Sequence, residues 1–295
     1  MAMREYLAEE IATDFADALL TRREALRRLA LVGLSTSAAA ALLAACGGGG
    51  GHGDESKTNK TTGTTAAAAP ATAESVRFQG PNGELQGAWA AASKPKGAVL
   101  VIHENRGLTD HIRSLPPRFA ADGYSALAID LLSEEGGTAA VGGEAEATGA
   151  LSQAPADRLV ADLHAGVDEL VRRAPRAKIA AVGFCFGGGL TWQLLAAGEP
   201  QLSAAVPFYG PAPENPDFSK SKAAVLGIYA ELDARVNATR DAADAALQAA
   251  GLTHEIRIFP GVDHAFFNDT GPRYNAAVAA EAYQAVLAWF AAHLQ

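Results

Sequence analysis

The sequence predicts an α/β domain in which a mostly parallel sheet carries helices on both faces. Continuous apolar runs such as residues 98–103 (AVLVIH) are typical of strands that are covered on both sides. Longer segments with helical periodicity lie between such runs; in residues 156–173, for example, Leu159, Leu163 and Val167 fall on one face. Strands that alternate with helices indicate a parallel sheet, because parallel neighbours need a crossover connection.

The predicted elements follow in order from residue 74 onward. A turn at residues 80–83 (GPNG) precedes the first predicted strand, and Gly123 ends the first predicted helix. The Gly-rich residues 136–149 are predicted to be a loop, either part of a lid or an ordinary mobile connection. Apolar runs predict strands at residues 84–90, 98–103, 124–130, 178–184, 203–209, 223–229 and 254–259. Helical patterns predict helices at residues 109–121, 156–173, 187–197, 237–250 and 275–294.

The bulk composition restricts the class of protein. A chain of 295 residues with 49% hydrophobic content has enough apolar material for one sizeable core, which excludes disorder throughout. Two cysteines are too few for a disulfide scaffold. The 24 basic and 33 acidic side chains give a net charge of −9, and no basic stripe offsets it. An acidic surface repels phosphate, so we expect no nucleic-acid partner.

The N-terminal segment has the features of an export signal. Arg22 and Arg23 precede the uncharged run 29–45, which is shorter than the ~20 residues that a membrane-spanning helix needs. The paired arginines resemble a twin-arginine signal, although Ala25 stands where such signals usually have Phe. Residues 43–46 (LAAC) resemble a bacterial lipobox, in which Cys46 would be lipidated and become the new N-terminus. The alternative is an amphipathic N-terminal helix of the folded domain, with Cys46 an incidental thiol.

Five consecutive glycines follow Cys46, and the chain stays rich in Gly, Thr, Lys, Asn and Ala up to residue 73. Such a composition buries too little apolar surface to fold, so residues 46–73 are predicted to be a flexible tether. The predicted organisation is an export signal over residues 1–45, this tether, and the α/β domain over residues 74–295. We therefore expect an exported lipoprotein that is anchored to the membrane of a bacterial envelope.

The strongest chemical signal is the motif Gly183-Phe184-Cys185-Phe186-Gly187. It has the Gly-x-nucleophile-x-Gly form and lies between a predicted buried strand and a predicted helix. Glycines are needed there because the nucleophile stands on a sharp, strained turn where a Cβ would collide with neighbouring strands. The following backbone N–H, from Phe186, is then placed to bind an oxyanion. The alternative is that Cys185 is a buried structural thiol.

Two further groups follow later strand ends in the order expected of a hydrolase. Asp233 follows the strand that ends at residue 229, and His264 follows the strand that ends at residue 259. Nucleophile, acid and then histidine is the chain order of α/β-hydrolase triads, and differs from that of chymotrypsin-like and subtilisin-like enzymes. The sequence therefore predicts a triad of Cys185, Asp233 and His264.

With these motifs the sequence resembles the dienelactone hydrolases, or carboxymethylenebutenolidases. The resemblance covers residue 98 to the C-terminus, with the motifs 103–107 (HENRG), 183–188 (GFCFGG), 231–233 (ELD) and 261–266 (GVDHAF). It implies the α/β-hydrolase fold, a small ester or lactone substrate, no cofactor and no metal. It also implies that Glu104 interacts with the thiol and helps to manage its proton. The backbone N–H of Asn105 would complete the oxyanion hole.

The sequence departs from the family at the substrate carboxylate. Family members that open dienelactone have an arginine four residues after the catalytic histidine, where this chain has Asn268. Arg106, Arg158 or Arg273 could take the place of the missing arginine if the fold brings one of them near the thiol. The candidate substrate-binding residues are Arg106, Asn268 and Arg273.

Three rival functions remain. A zinc hydrolase is suggested by His103-Glu104, but Gly107 stands where a second histidine should fall. A thiol redox protein would need a resolving cysteine, and Cys46 is predicted to be acylated. A non-catalytic envelope lipoprotein on a hydrolase scaffold is the third, since fold does not fix function. The remaining histidines of the predicted elements, His111, His164 and His254, are expected at the surface.

Overall fold

The computed structural model describes residues 3–46 and 72–294. In the described part of the chain, eight strands and ten α-helices follow one another. The strands are β1 Glu74–Gln79, β2 Glu84–Ala90, β3 Gly97–Ile102, β4 Tyr124–Asp130, β5 Ile179–Phe184, β6 Leu202–Phe208, β7 Ala224–Ala230 and β8 His254–Phe259. The helices are α1 Met3–Ala16, α2 Arg22–Leu31, α3 Thr36–Cys46, α4 Asp110–Ala121, α5 Glu144–Gln153, α6 Ala156–Arg173, α7 Phe186–Ala197, α8 Ala234–Asn237, α9 Arg240–Ala249 and α10 Ala276–His293.

All eight strands form one sheet in the order β1-β2-β4-β3-β5-β6-β7-β8. β2 pairs antiparallel with both β1 and β4, and every other pairing is parallel. Every residue of β3, β4, β5 and β7 is buried. Successive side chains of a strand point to opposite faces, so both faces of the sheet are covered. The predicted α/β class with a mostly parallel sheet and helices on both faces is confirmed.

The strand register brings the candidate residues to one edge of the sheet. Parallel strands end on the same side, and the last paired residues fix which loops meet there. The pairs at this edge are Ile102–Gly183, Phe184–Phe208, Phe208–Ile228 and Ala230–Phe259. The loops after β3, β5, β7 and β8, which carry Glu104, Cys185, Asp233 and His264, therefore open into the same region.

Local structure differs from the sequence expectations at several points. β1 is an additional edge strand that the alternation did not reveal. Part of the Gly-rich stretch 136–149 begins α5 rather than remaining a loop. The predicted helix 237–250 corresponds to α9, which begins at Arg240. A separate short helix, α8, precedes it and begins where the side chain of Asp233 accepts the Val236 N–H.

The expectation that His111 lies at the surface is wrong. Its side chain is 1% exposed, and Nδ1 lies 2.6 Å from Oδ1 of Asp269. The ring edge packs against Phe184 and Phe267. His111 is the second residue of α4, and the loop that follows β8 folds over it.

The N-terminal helices α1–α3 form a small bundle with its own apolar core. Ala8, Ile11, Ala25 and Leu29 are among its buried residues. Tyr6 and Leu7 instead belong to the core of the sheet domain, so α1 connects the two. Among the described residues, no helix is both long and apolar enough to cross a membrane. Apart from its two ends, the predicted tether lies outside the described residues.

Candidate active site

Cys185 stands on the sharp turn between β5 and α7. Its φ of 56° and ψ of −116° are a strained conformation for a residue with a side chain. A Cβ on Gly183 would collide with the carbonyl oxygen of Gly187, and a Cβ on Gly187 would collide with that of Ile102. The flanking glycines are therefore required by close backbone contacts, as the motif predicts.

Asp233 and His264 form a buried pair beside this turn. The His264 Nδ1 lies 2.6 Å from Oδ2 of Asp233, and both side chains are 4% exposed. Burial lowers the pKa of His264, but the Asp233 carboxylate and its hydrogen bond outweigh burial, so the net pKa is raised. Burial raises the pKa of Asp233, yet the charge and hydrogen bond of His264 leave it lowered. The pair therefore favours an imidazole that readily accepts a proton.

The thiol and the imidazole are close, with a hydroxyl between them. The Cys185 Sγ and a ring nitrogen of His264 lie within 4.8 Å of each other. The Tyr6 hydroxyl is 3.3 Å from Sγ and 3.4 Å from Nε2 of His264. The structure thus brings together the three residues that the motif order singled out, and adds a tyrosine from α1.

The charge around the sulfur favours the neutral thiol in this state. Burial raises the pKa of Cys185 well above its ordinary value, and the carboxylates of Glu10 and Glu104 raise it further. Hydrogen bonds with the Tyr6 hydroxyl and with the backbone N–H of Phe186 act in the opposite direction and lower the pKa of Cys185. Since only the thiolate is an effective nucleophile, reaction requires that some of this opposing charge be removed.

Glu104 lies under the site, held by Asn268. The side-chain amide of Asn268 donates to Oε2 of Glu104 over 2.6 Å, while Oε1 is buried without a hydrogen-bond partner. Burial raises the pKa of Glu104. Asn268 therefore binds a carboxylate of the protein itself, rather than pointing freely toward a ligand.

His103 is not arranged as a metal ligand. Its Nε2 accepts the backbone N–H of Leu131, and its Nδ1 lies 2.6 Å from the carbonyl oxygen of Glu104. Both ring nitrogens are thus used by the backbone, and burial lowers the pKa of the ring, which keeps it neutral. The geometry favours a structural role for this histidine over the zinc alternative.

Of the two backbone positions expected to bind an oxyanion, Phe186 forms a hydrogen bond with the Cys185 sulfur, and Asn105 lines the same cavity as Cys185. Asn105 follows Glu104 in the loop after β3, and Phe186 is the first residue of α7, with its N–H directed at Sγ. The side-chain amide of Asn105 donates to Oε1 of Glu10 over 3.1 Å. The helix N-terminus at Phe186 adds positive potential at the same place.

The model of the Dienelactone hydrolase family matches residues 85–294. The chain belongs to the dienelactone hydrolase family. A protein of Escherichia coli O157:H7 named "Putative carboxymethylenebutenolidase" is 33% identical over 213 residues, which are 66% of this chain and 77% of that protein. A protein of the same name from Saccharolobus solfataricus is 30% identical over 72% of this chain and 96% of its own length.

Solved structures of the dienelactone hydrolase family have the same fold. The crystal structure of a Klebsiella pneumoniae protein described as "Putative Dienelactone Hydrolase" superimposes with a TM-score of 0.66 at 32% identity. The match covers 74% of this chain and 98% of that chain, so a polypeptide about a quarter shorter folds into this architecture. Together with the named homologues, this identifies the chain as a hydrolase of α/β-hydrolase type.

In this dienelactone hydrolase family member, two arginines of the sheet domain and Arg28 of α2 line the active-site cleft. A cavity of about 440 Å³ is lined by Cys185 and His264 together with Arg106 and Arg273. Arg106 pairs with Glu144 over 3.2 Å and is one-third exposed. Arg273 is mostly buried and pairs with Asp14 over 2.9 Å. Arg158 does not line this cavity and instead pairs with Glu135 and Asp162.

Two cleft residues, Tyr6 and Glu10, were not singled out by the sequence. Oε2 of Glu10 lies 3.3 Å from Sγ of Cys185. The spacing of four between Tyr6, Glu10 and Asp14 places them on one face of a helix. That spacing was the available signal, but it says nothing of what the face would contact.

Glu10, Cys185 and His264 also form a potential metal-ligand set, with donor atoms within 4.8 Å of one another. A thiolate, an imidazole and a carboxylate suit a cation such as Zn²⁺. An ion held there would take the thiol and the imidazole that hydrolysis requires. A metal-bound form would therefore be a blocked form of the hydrolase.

Proposed function

We propose that this dienelactone hydrolase family member cleaves small esters or lactones with Cys185 as nucleophile and His264 and Asp233 as its proton-transfer pair. The observation that carries the proposal is the position of the thiol. Cys185 stands on a strained turn at a helix N-terminus, within 4.8 Å of an imidazole nitrogen whose ring is fixed by a carboxylate. This is the arrangement that nucleophilic acyl transfer needs.

In the acylation step, His264 takes the thiol proton and the Cys185 sulfur forms a bond to the substrate carbonyl carbon. The carbonyl oxygen becomes negative, and the backbone N–H groups of Phe186 and Asn105 stabilise it. The tetrahedral adduct collapses when the carbon–oxygen bond to the alcohol breaks. The proton on His264 then passes to the departing oxygen.

Deacylation reverses these roles with water as the nucleophile. His264 removes a proton from water as the water oxygen bonds to the acyl carbon, the carbon–sulfur bond then breaks, and the proton on His264 passes to the sulfur. With a lactone, the alcohol remains tethered to the acyl group, so hydrolysis competes with reclosure. Since a thiolate needs less base assistance than a serine hydroxyl, activated esters and enol lactones suit this site better than amides.

We propose that Glu104 influences the protonation of the Cys185 thiol through its charge, whereas His264 takes the proton during the reaction. Glu104 does not accept the acyl group. The hydrogen bond from Asn268 holds the Glu104 carboxyl group near the sulfur. Because burial raises the pKa of Glu104, the charge of this carboxyl group depends on what fills the cleft. Asn268 is therefore a positioning residue for Glu104. Asn268 lines the cavity too, but its side-chain amide donates to Glu104, so we assign the substrate contacts to Arg106 and Arg273.

We expect Arg106 and Arg273 to favour substrates that carry a carboxylate. Replacement of Arg273 by glutamine should raise KM for a carboxylate-bearing aryl ester about tenfold, since a charged hydrogen bond contributes about 1.5–3 kcal/mol and is partly replaced by water here. A neutral aryl acetate should be little affected. The measurement is steady-state kinetics on both esters and a lactone panel, with the domain that begins at Ser75.

Arg257→Gln is the matched control, because Arg257 is an exposed arginine on β8 and does not line the cavity. Equal changes in KM for neutral and carboxylate-bearing esters in Arg273→Gln would contradict a role in substrate charge recognition. Turnover of the aryl ester but of no lactone would remove the lactone part of the proposal.

We also propose that the chain is exported and lipidated at Cys46. Arg22 and Arg23 are exposed at the start of α2, where an export receptor can reach them, and the uncharged run follows. In a bacterial host, metabolic labelling with a fatty acid should mark the wild-type protein and leave Cys46→Ala unlabelled, because the thiol is the attachment point. Label retained by Cys46→Ala would refute lipidation at this residue.

A further inference from the structure

Helix α1 lies directly over the thiol of Cys185. The Glu10 carboxylate is 3.3 Å from the sulfur, and its other oxygen accepts the Asn105 side-chain amide over 3.1 Å. The Tyr6 hydroxyl is 3.3 Å from the sulfur and 3.4 Å from Nε2 of His264. All five side chains are buried. The space that a substrate carbonyl must enter is therefore filled by the protein itself.

The two α1 side chains also oppose the chemistry of the site. A carboxylate beside the sulfur repels a thiolate, and it repels the oxyanion that would form near the Phe186 and Asn105 N–H groups. The Tyr6 hydroxyl occupies the position in which the imidazole would take the thiol proton. Cys185 borders the cavity of about 440 Å³ but is only 2% exposed while Tyr6 and Glu10 stay in place, so these two side chains restrict the approach of an acyl group to the sulfur.

The cleft holds α1 by complementary charge. Asp14 pairs with Arg273 over 2.9 Å, and Asp17 also pairs with Arg273. Arg235 donates to the carbonyl oxygen of Tyr6 over 3.1 Å and lies 4.6 Å from the centre of its ring. The helix thus presents acidic groups to cleft cations, one of which is a proposed substrate-binding arginine.

Apolar packing completes the docking. Leu7 is fully buried in the core of the sheet domain, whereas its neighbour Ala8 packs into the core of the N-terminal bundle. The cleft thus binds an acidic helix through both charged and apolar contacts. Its occupant is a named segment of the same chain.

We propose that helix α1 is an intramolecular inhibitor, and that Cys185 becomes usable only after α1 leaves the active-site cleft. This inference rests on the proposed hydrolytic role of Cys185. It gives residues ahead of the predicted lipobox a second role besides export, namely to keep the thiol covered until the protein is processed.

The predicted processing step would convert this reversible block into a lasting release. A peptidase that acts at the lipobox adds water across the Ala45–Cys46 peptide bond and leaves a carboxylate on Ala45 and an amine on Cys46. Helices α1–α3 then belong to a separate peptide. Docking loses the high effective concentration that the covalent link provides, so the peptide dissociates.

The first test measures access to the thiol in the full chain. Leu7→Asp places a charge in the apolar contact and should eject α1 without altering Tyr6, Glu10 or the catalytic groups. Alkylation of Cys185 by iodoacetamide, followed by mass spectrometry of the Cys185 peptide, should be at least about tenfold faster in Leu7→Asp than in the wild type. The wild type reacts slowly because the state in which α1 has left the cleft is a minor one. Hydrolysis of p-nitrophenyl acetate should rise by a similar factor.

Glu9→Gln is the matched control, because Glu9 lies on α1 but its side chain faces away from the cleft and is exposed. It should alkylate and hydrolyse at the wild-type rates. Thermal unfolding followed by circular dichroism establishes that the sheet domain of Leu7→Asp remains folded. Equal alkylation rates in the wild type and a folded Leu7→Asp would overturn the proposal.

The second test adds the inhibitor from outside. A synthetic peptide of residues 3–20 should inhibit the domain that begins at Ser75 and should protect Cys185 from alkylation, whereas the same peptide with Leu7→Asp should do neither. Failure of the wild-type peptide to protect the thiol at any concentration up to its solubility limit would count against inhibition by α1. Faster alkylation of Leu7→Asp without faster hydrolysis would show that α1 covers the thiol, but it would contradict Cys185 as the hydrolytic nucleophile. The experiment therefore distinguishes failure of the inhibition proposal from failure of the proposed hydrolytic function.

Discussion

Replacement of Cys185 by alanine should lower kcat/KM for p-nitrophenyl acetate by about 10³-fold or more, since loss of a nucleophile removes the covalent route and leaves the binding groups alone. The fold should survive, because alanine is smaller than cysteine and fits the same turn. The measurement is steady-state kinetics on the domain that begins at Ser75, in which the cleft is not covered by α1.

Serine is the informative companion substitution. Cys185→Ser keeps a nucleophilic atom, but a hydroxyl has a far higher pKa than a thiol and needs more help from His264. We expect activity between that of the wild type and Cys185→Ala. Mass spectrometry of a quenched reaction should find one acetyl group on the Cys185 peptide of the wild type and none on that of Cys185→Ala. Wild-type turnover by the alanine variant would refute the assigned nucleophile.

The sheet and the strand-end residues were predictable because their signals are local. A strand buried on both faces must be apolar throughout, and β3 and β5 are. A nucleophile on a sharp turn needs glycines beside it, and the contacts at Gly183 and Gly187 bear out that steric reason. These requirements act within a few residues of each other, so they can be recognised in a single sequence.

The covering of the site by α1 was not predictable in this way. Tyr6 is 179 residues from Cys185 and 258 residues from His264 along the chain. Helix periodicity fixes which side chains share a face, but it does not say which distant surface that face will contact. The role of Asn268 was missed for a similar reason, because its partner Glu104 lies 164 residues away.

The sequence features that predict export are compatible with the docked helix bundle α1–α3. The uncharged run 29–45 spans the end of α2 and most of α3, and its buried residues include Leu29 and Leu43, which pack with Ile11 of α1. The same apolar side chains that suit an export signal thus also form the core of a small bundle. Sequence patterns of hydrophobicity cannot separate these two uses, because both require an apolar helix face.

Replacement of Asp233 by asparagine is expected to lower kcat by about 10³-fold, because the amide no longer fixes the proton on Nδ1 of His264 and no longer stabilises the imidazolium. Asparagine keeps the shape of the side chain and can still accept the Val236 N–H that begins α8. The loss should therefore appear in catalysis more than in stability.

The pH dependence of Asp233→Asn separates an electrostatic role from a purely structural one. Asp233 raises the pKa of His264, and Glu10 of α1 acts in the same direction, while burial and Arg235 oppose them. In the domain that begins at Ser75, α1 is absent, so loss of the Asp233 charge should lower the pKa of His264. The acidic limb of the kcat–pH profile should then move to lower pH while the plateau falls.

Asp263→Asn is the control, because Asp263 accepts the backbone N–H of His264 over 2.6 Å and does not contact the imidazole ring through this bond. The acidic limb of the Asp263→Asn profile should stay in place. An unmoved limb in Asp233→Asn would mean that the carboxylate does not set the protonation of the imidazole.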